Sequence, residues 1–131
     1  MPQVLPEMSH FDEIGGEPVL RAIVDDFVDR CFDDTMIGFL FQRADRDRIK
    51  RFEYQHAAEH LGGPVVYEGR PLDEAHRPHR IFGGQFARRR QILTETLRDH
   101  GVPETVVDAW IAHQEGLRTL ITRDADSSCV G

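Results

Sequence analysis

The 131-residue chain holds only two cysteines, Cys31 and Cys129, far apart and outside any Cys-x-x-Cys unit. Two such residues make no disulfide framework, so a reducing cytoplasm is the expected setting. No apolar run approaches the roughly 20 residues that a membrane span needs. Met1 to Met8 carries two prolines and no basic region, so no secretory leader is expected. Positive charge is also short. Lys and Arg number 16 against 23 Asp and Glu, a formal net charge of −7. That balance withholds the broad basic field that nucleic acid requires. The Gly-Gly pairs at 15–16, 62–63 and 83–84 lack the spacing of a dinucleotide loop, and neither a P-loop nor a serine-nucleophile elbow occurs.

What remains is an ordinary globular composition, 40% hydrophobic and 30% charged. The length suits one domain, residues 1–131, with a core from about 11 to 122 and frayed tails. Ser9 reads as a helix cap with Asp12 three residues on. Gly15-Gly16 breaks that turn, and Pro18 suits the first turn of a helix whose apolar positions 19, 20, 23, 24, 27, 28, 31 and 32 follow the 3.6 period. The apolar stretch Met36 to Phe41 fits either a buried strand or a helical turn. Asp45 to Leu61 predicts a charged amphipathic helix stopped by Gly62-Gly63-Pro64. Val65 to Gly69 reads as a loop. Pro71 to His76 predicts a short helix ended by Pro78. After Phe82-Gly83-Gly84, a helix is expected from Gln85 to His100, and Pro103 opens a last one to about Thr122. The expected fold class is therefore all-α.

Seven histidines are the main chemical resource. His10 and His100 fall at element ends and read as surface or capping groups, and His113 lies mid-helix on a mixed face. Glu53, His56 and His60 stack along one helix at turn spacing, where side chains converge enough to ligate a metal. Glu53-x-x-His56 also has the carboxylate–histidine spacing of bundle di-iron sites, which require a second such motif. His76 faces the same way as Leu72 on a short, proline-terminated helix, as an axial heme ligand would. His79, beyond Pro78, is its neighbour and competitor. The run Arg88-Arg89-Arg90 lies on a helix, so its members point in three directions; a solvated face with ion pairs is the plain reading.

Five short motifs then occur in order: Phe11-Asp-Glu-Ile-Gly-Gly16, His60-Leu-Gly-Gly-Pro64, Tyr67-Glu-Gly69, Glu74-Ala-His76 and His100-Gly-Val-Pro103. Together they resemble the landmarks of the group I truncated hemoglobins, across about residues 11–122. The resemblance implies a two-over-two helical sandwich around heme b (iron protoporphyrin), with His76 as the proximal iron ligand. It implies Phe41 wedged against the heme, Tyr67 near its edge, and Ile49, Glu53, His56 and Ala57 on the distal helix facing it. Val28 would point into the distal pocket, and Leu72, Ile81, Phe86, Leu93 and Trp110 would complete apolar walls. Arg48, Lys50 or Arg80 would pair with the propionates.

Two positions depart from the family pattern. Many members carry tyrosine where this chain has Val28, and glutamine where it has Glu53; both donate hydrogen bonds to bound dioxygen. Valine cannot donate, and a glutamate donates only if burial keeps it protonated. Glu53, Tyr54 or His56 would have to rebuild that side, with Glu53 and His56 the candidate catalytic groups. The implied function is reversible binding of a diatomic ligand such as oxygen, nitric oxide or carbon monoxide. Nitric oxide dioxygenation, which would need an external reductase, and peroxidase-like turnover are both compatible with it. Two other readings compete. One is a non-heme metal-binding helical bundle using Glu53, His56 and His60. The other is a globin fold that has lost heme and serves as a binding module.

Overall fold

The computed structural model describes residues 8–68 and 83–117. The short helix expected over 71–76, with Leu72 and His76, lies outside the described residues, as do His79, Arg80, Ile81 and Cys129. Among the described residues the architecture is helical throughout. It comprises α1 (His10–Glu13), α2 (Gly16–Asp33), a 3-10 turn (Gly38–Phe41), α3 (Arg46–His60), α4 (Gly83–Asp99) and α5 (Glu104–Gly116). No described helix is long and apolar enough to cross a membrane.

The helix ends follow from local chemistry. Ser9 Oγ accepts from the Asp12 backbone N–H at 3.1 Å, and Asp45 Oδ1 accepts from that of Arg48 at 3.2 Å, so both starts are side-chain capped. At the end of α3 the Gly63 N–H reaches Ala58 O at 2.8 Å and the Gly62 N–H reaches Glu59 O at 3.1 Å. This paired closure requires a left-handed residue, and Gly62 has φ +87°. Gly63 then lets the chain pass the Phe11 ring, which a Cβ at this position would meet at 2.8 Å. The Phe11 N–H donates to Leu61 O at 3.0 Å and ties α1 to that corner.

One open reading is resolved and one expectation revised. Of the strand and helical-turn readings of 36–41 the turn holds: Gly38–Phe41 is a 3-10 turn, and just ahead of it the Met36 and Ile37 N–H groups donate to Asp34 Oδ2 at 2.9 and 3.1 Å. The pair Gly83-Gly84, expected to separate two elements, begins α4 instead. Glycine is tolerated there because the first N–H groups of a helix have no partner within it.

The core is a continuous cluster in which α2 contributes Leu20, Ile23, Val24, Phe27, Val28 and Cys31. Tyr54, Ala57 and Ala58 come from α3, Ile92, Leu93 and Leu97 from α4, and Val106, Val107 and Trp110 from α5. Burial pushes the Cys31 thiol up to about 12, so it packs as a small apolar group. Ion pairs flank the core. Lys50 Nζ sits 2.8 Å from Asp25 and 2.9 Å from Asp29, holding α3 to α2. Arg30 bridges Asp26 at 3.0 Å and Asp99 at 2.9 Å, holding the end of α4 to α2.

Gly38 begins the turn that carries Phe41, and a Cβ there would lie 2.6 Å from the backbone oxygen of Phe32. Gly38→Ala should cost about 1–3 kcal/mol, the scale of an overpacked site. Urea unfolding measures this, and an unchanged midpoint would show that the turn gives way freely.

Candidate functional site

The outward strip of α3 is the natural place for a ligand. Ile49, Phe52, Glu53 and His56 recur at helical spacing and are all half-buried, whereas Tyr54, Ala57 and Ala58 on the other side are buried against the core. Two aromatic groups flank the strip. Tyr67 lies edge-on to Phe52 at 6.1 Å and to His56 at 5.6 Å between ring centroids. Phe41 stacks on Phe32 at 4.8 Å with 20° between the planes. Of the other expected wall residues, Val28, Phe86, Leu93 and Trp110 are buried. Tyr54 is turned away from the strip, with the Arg21 guanidinium 4.1 Å above its ring, so it does not rebuild the distal side.

Glu53 is not a free carboxyl. Its Oε1 accepts from Arg89 Nη2 at 2.7 Å, while Arg89 Nη1 donates to Gln114 Oε1. The donor of this network is thus the guanidinium, and Glu53 is its acceptor. The Arg88–Arg90 run does form ion pairs, each to a different element: Arg88 to Asp34, Arg89 to Glu53 and Arg90 to Glu115. Only the middle one turns onto the α3 strip. Sequence reasoning missed this, although Arg89 lies three residues after Phe86 and four before Leu93, within the apolar stripe of α4. Gln114 carried the same signal, four residues after Trp110 on the core side of α5, and it is 2% exposed.

His113, expected on a mixed face, belongs to a histidine cluster. Its ring stacks on His60 at 4.0 Å with 8° between planes, and its Nε2 is 3.2 Å from His56 Nε2. His60 also meets Trp110 edge-on at 5.6 Å, and its buried Nε2 has no hydrogen-bond partner among the described residues. Burial, reinforced by the neighbouring His113 and His56, pushes the His60 imidazole down to about 3. His56 and His113 are lowered too, each chiefly by burial. The cluster is therefore neutral at physiological pH. With Glu53 held by Arg89, the expected Glu53–His56–His60 metal set is not assembled. No trio of His, Cys, Asp or Glu among the described residues is arranged to hold a metal ion. His100 and His10 behave as expected, pairing with Asp26 at 2.8 Å and Glu13 at 3.3 Å.

A half-buried, aromatic-flanked strip that sets Ile49 and Phe52 beside Glu53 and His56 fits a flat, largely apolar prosthetic group with a few polar contacts, such as heme. Lys50 is held between Asp25 and Asp29, and so is committed to α2 as a charge partner. Arg48 lies over Phe52, its guanidinium 5.4 Å from the ring centroid, on the strip itself.

Comparison with known proteins agrees with this geometry. The family model described as "Bacterial-like globin" matches residues 9–122. A group 1 truncated hemoglobin of Synechocystis sp. is 32% identical over 103 residues, covering 74% of this chain and 82% of that protein. One from Mycolicibacterium paratuberculosis is 30% identical over 99 residues, covering 76% and 73%. The crystal structure of a hemoglobin from Chloroflexus aurantiacus superposes with a TM-score of 0.78 at 27% identity, covering 89% of this chain and all of that one.

The depressed His60 imidazole has a consequence for stability. An unfolded histidine takes up a proton near pH 6.5, whereas folded His60 holds none until about pH 3. The unfolded state binds the extra proton throughout that window, so stability falls as pH falls from 6.5 toward 3. His60→Phe should remove about one proton of uptake on unfolding between pH 4 and 6. Urea titrations across that range test this; an unchanged slope of stability against pH would refute it.

Proposed function

The chain belongs to the bacterial-like globins, with group 1 truncated hemoglobins among its relatives, and from that premise we infer that it binds heme b and, at the heme iron, a small diatomic ligand. The observation that carries this reading is the α3 strip of Ile49, Phe52, Glu53 and His56, half-buried and flanked by Tyr67. This face of α3 is only partly covered by the described core, and Ile49, Phe52 and Tyr67 suit a flat apolar disc. His76, from the Glu74-Ala-His76 motif, is the proximal ligand in this reading. Its imidazole would hold the iron, and residues of α2 and α3 would line the space for the exogenous ligand. Leu72 and Ile81 would add apolar contacts to the heme in this reading. Arg48 is the favoured propionate partner, because Lys50 is already engaged by two aspartates.

When bound, the heme supplies the iron that takes the ligand. The chain's own residues shape the space around it. Val28 offers only an apolar wall, and the polarity of the distal side comes from the Glu53–Arg89–Gln114 network and the neutral imidazole of His56. The non-heme bundle reading loses its ligand set because Glu53 is held by Arg89.

His76→Ala should abolish stable heme incorporation, while His79→Ala should leave it intact. The heme-to-protein ratio and the Soret band after reconstitution decide this. Wild-type heme content in His76→Ala would remove the proximal assignment.

A further inference from the structure

The resemblance to the group I truncated hemoglobins implies hydrogen-bond donors at the positions of Val28 and Glu53, yet valine cannot donate and Glu53 accepts from Arg89. The described structure supplies another donor at that place. The Arg89 guanidinium lies 4.9 Å above the ring of Phe27, the residue next to Val28 on α2. It reaches Glu53 of α3 and Gln114 of α5 from its own position on α4, so four helices converge on one cation. Those two acceptors use two of the five N–H donors of an arginine. The Arg89 and Glu53 side chains are both 22% exposed, partly withdrawn from water yet reachable. Fixed by carboxylate, amide and aromatic ring, the guanidinium is held ready at low reorganisation cost.

Resting on the heme reading above, we propose that Arg89 is the ligand-contacting donor of the distal side, and that it strengthens binding of small monovalent anions to the ferric form more than binding of neutral diatomics to the ferrous form. A guanidinium donates charge-assisted hydrogen bonds to an anion that it cannot make equally well to a weakly polar neutral molecule. Glu53 sets the strength of this preference. Its carboxylate partly neutralises Arg89 and repels an incoming anion, while keeping the guanidinium in place. The two residues therefore act with opposite sign on anion affinity. His56 does not take this role, because its Nε2 is engaged with His113.

The probes are azide, titrated into the ferric heme-loaded protein, and carbon monoxide, titrated into the ferrous form, both followed by absorbance. Arg89→Met should weaken azide binding about tenfold or more, the scale of one charge-assisted hydrogen bond. Glu53→Leu, which removes the charge without adding a donor, should strengthen it severalfold. Carbon monoxide affinity should move less than about threefold in either variant, since a neutral ligand gains little from the cation. The carbon monoxide stretching frequency should rise in Arg89→Met as the positive field is lost. Because Arg89→Met leaves Glu53 without its partner, the double variant Arg89→Met/Glu53→Leu removes both charges together and adds no donor. It should still lose azide affinity with carbon monoxide binding retained. Azide affinity within about twofold of wild type in both Arg89 variants would overturn the proposal, as would equal loss of azide and carbon monoxide binding. A wild-type protein that takes up no heme and shows no Soret band would instead overturn the heme reading beneath it.

Discussion

The inward stripe of α2 is the constraint on which the rest of this fold depends. Leu20, Ile23, Val24, Phe27, Val28 and Cys31 are all at most 3% exposed. Burial of each large apolar side chain is worth about 1.5–3 kcal/mol relative to exposure. The elements α1, α3, α4 and the 3-10 turn all pack on this helix, and α5 reaches it through α4. The strip of α3 is set by the same packing. Once Tyr54, Ala57 and Ala58 are committed to α2, Ile49, Phe52, Glu53 and His56 must face the other way.

Polar side chains then fix how the helices sit around that centre. Arg88, Arg89 and Arg90 leave one helix in three directions and meet Asp34, Glu53 and Glu115 in turn. Asp34 has a double role, since its second oxygen holds the turn that presents Phe41. Exposed ion pairs contribute little to stability individually. Those that are partly buried matter differently: removing one partner leaves a charge without compensation, which is costly even where the intact pair is nearly neutral in net energy. Such pairs act as pins on geometry more than as sources of stability.

The site combines two kinds of polar group in one apolar setting. The histidines His56, His60 and His113 are kept neutral by burial, and His60 and His113 also by their histidine neighbours. Arg89 and Glu53 are kept together by opposite charge. Low local dielectric drives both outcomes, since it penalises a lone charge and strengthens a paired one. At the Val28 and Glu53 departures from the truncated hemoglobin pattern, α4 contributes a further polar residue, Arg89.

Much of this was legible in the chain itself. Helix ends were readable because Ser9, Asp45, Gly62 and Gly101 act through bonds to residues three to five positions away. The inward faces of α2 and α4 were readable from apolar periodicity, and the family from ordered short motifs. The partnerships were not. Arg89 meets Glu53 36 residues away and Gln114 25 residues away, and His113 meets His56 57 residues away. A surface arginine run and a buried clamp have the same local sequence, as do a solvated histidine and a stacked one. Spacing along the chain determines which face of a helix a residue occupies. What that face meets, and hence whether Glu53 donates or accepts and whether His113 is wet or stacked, is decided only when the helices pack and exclude water.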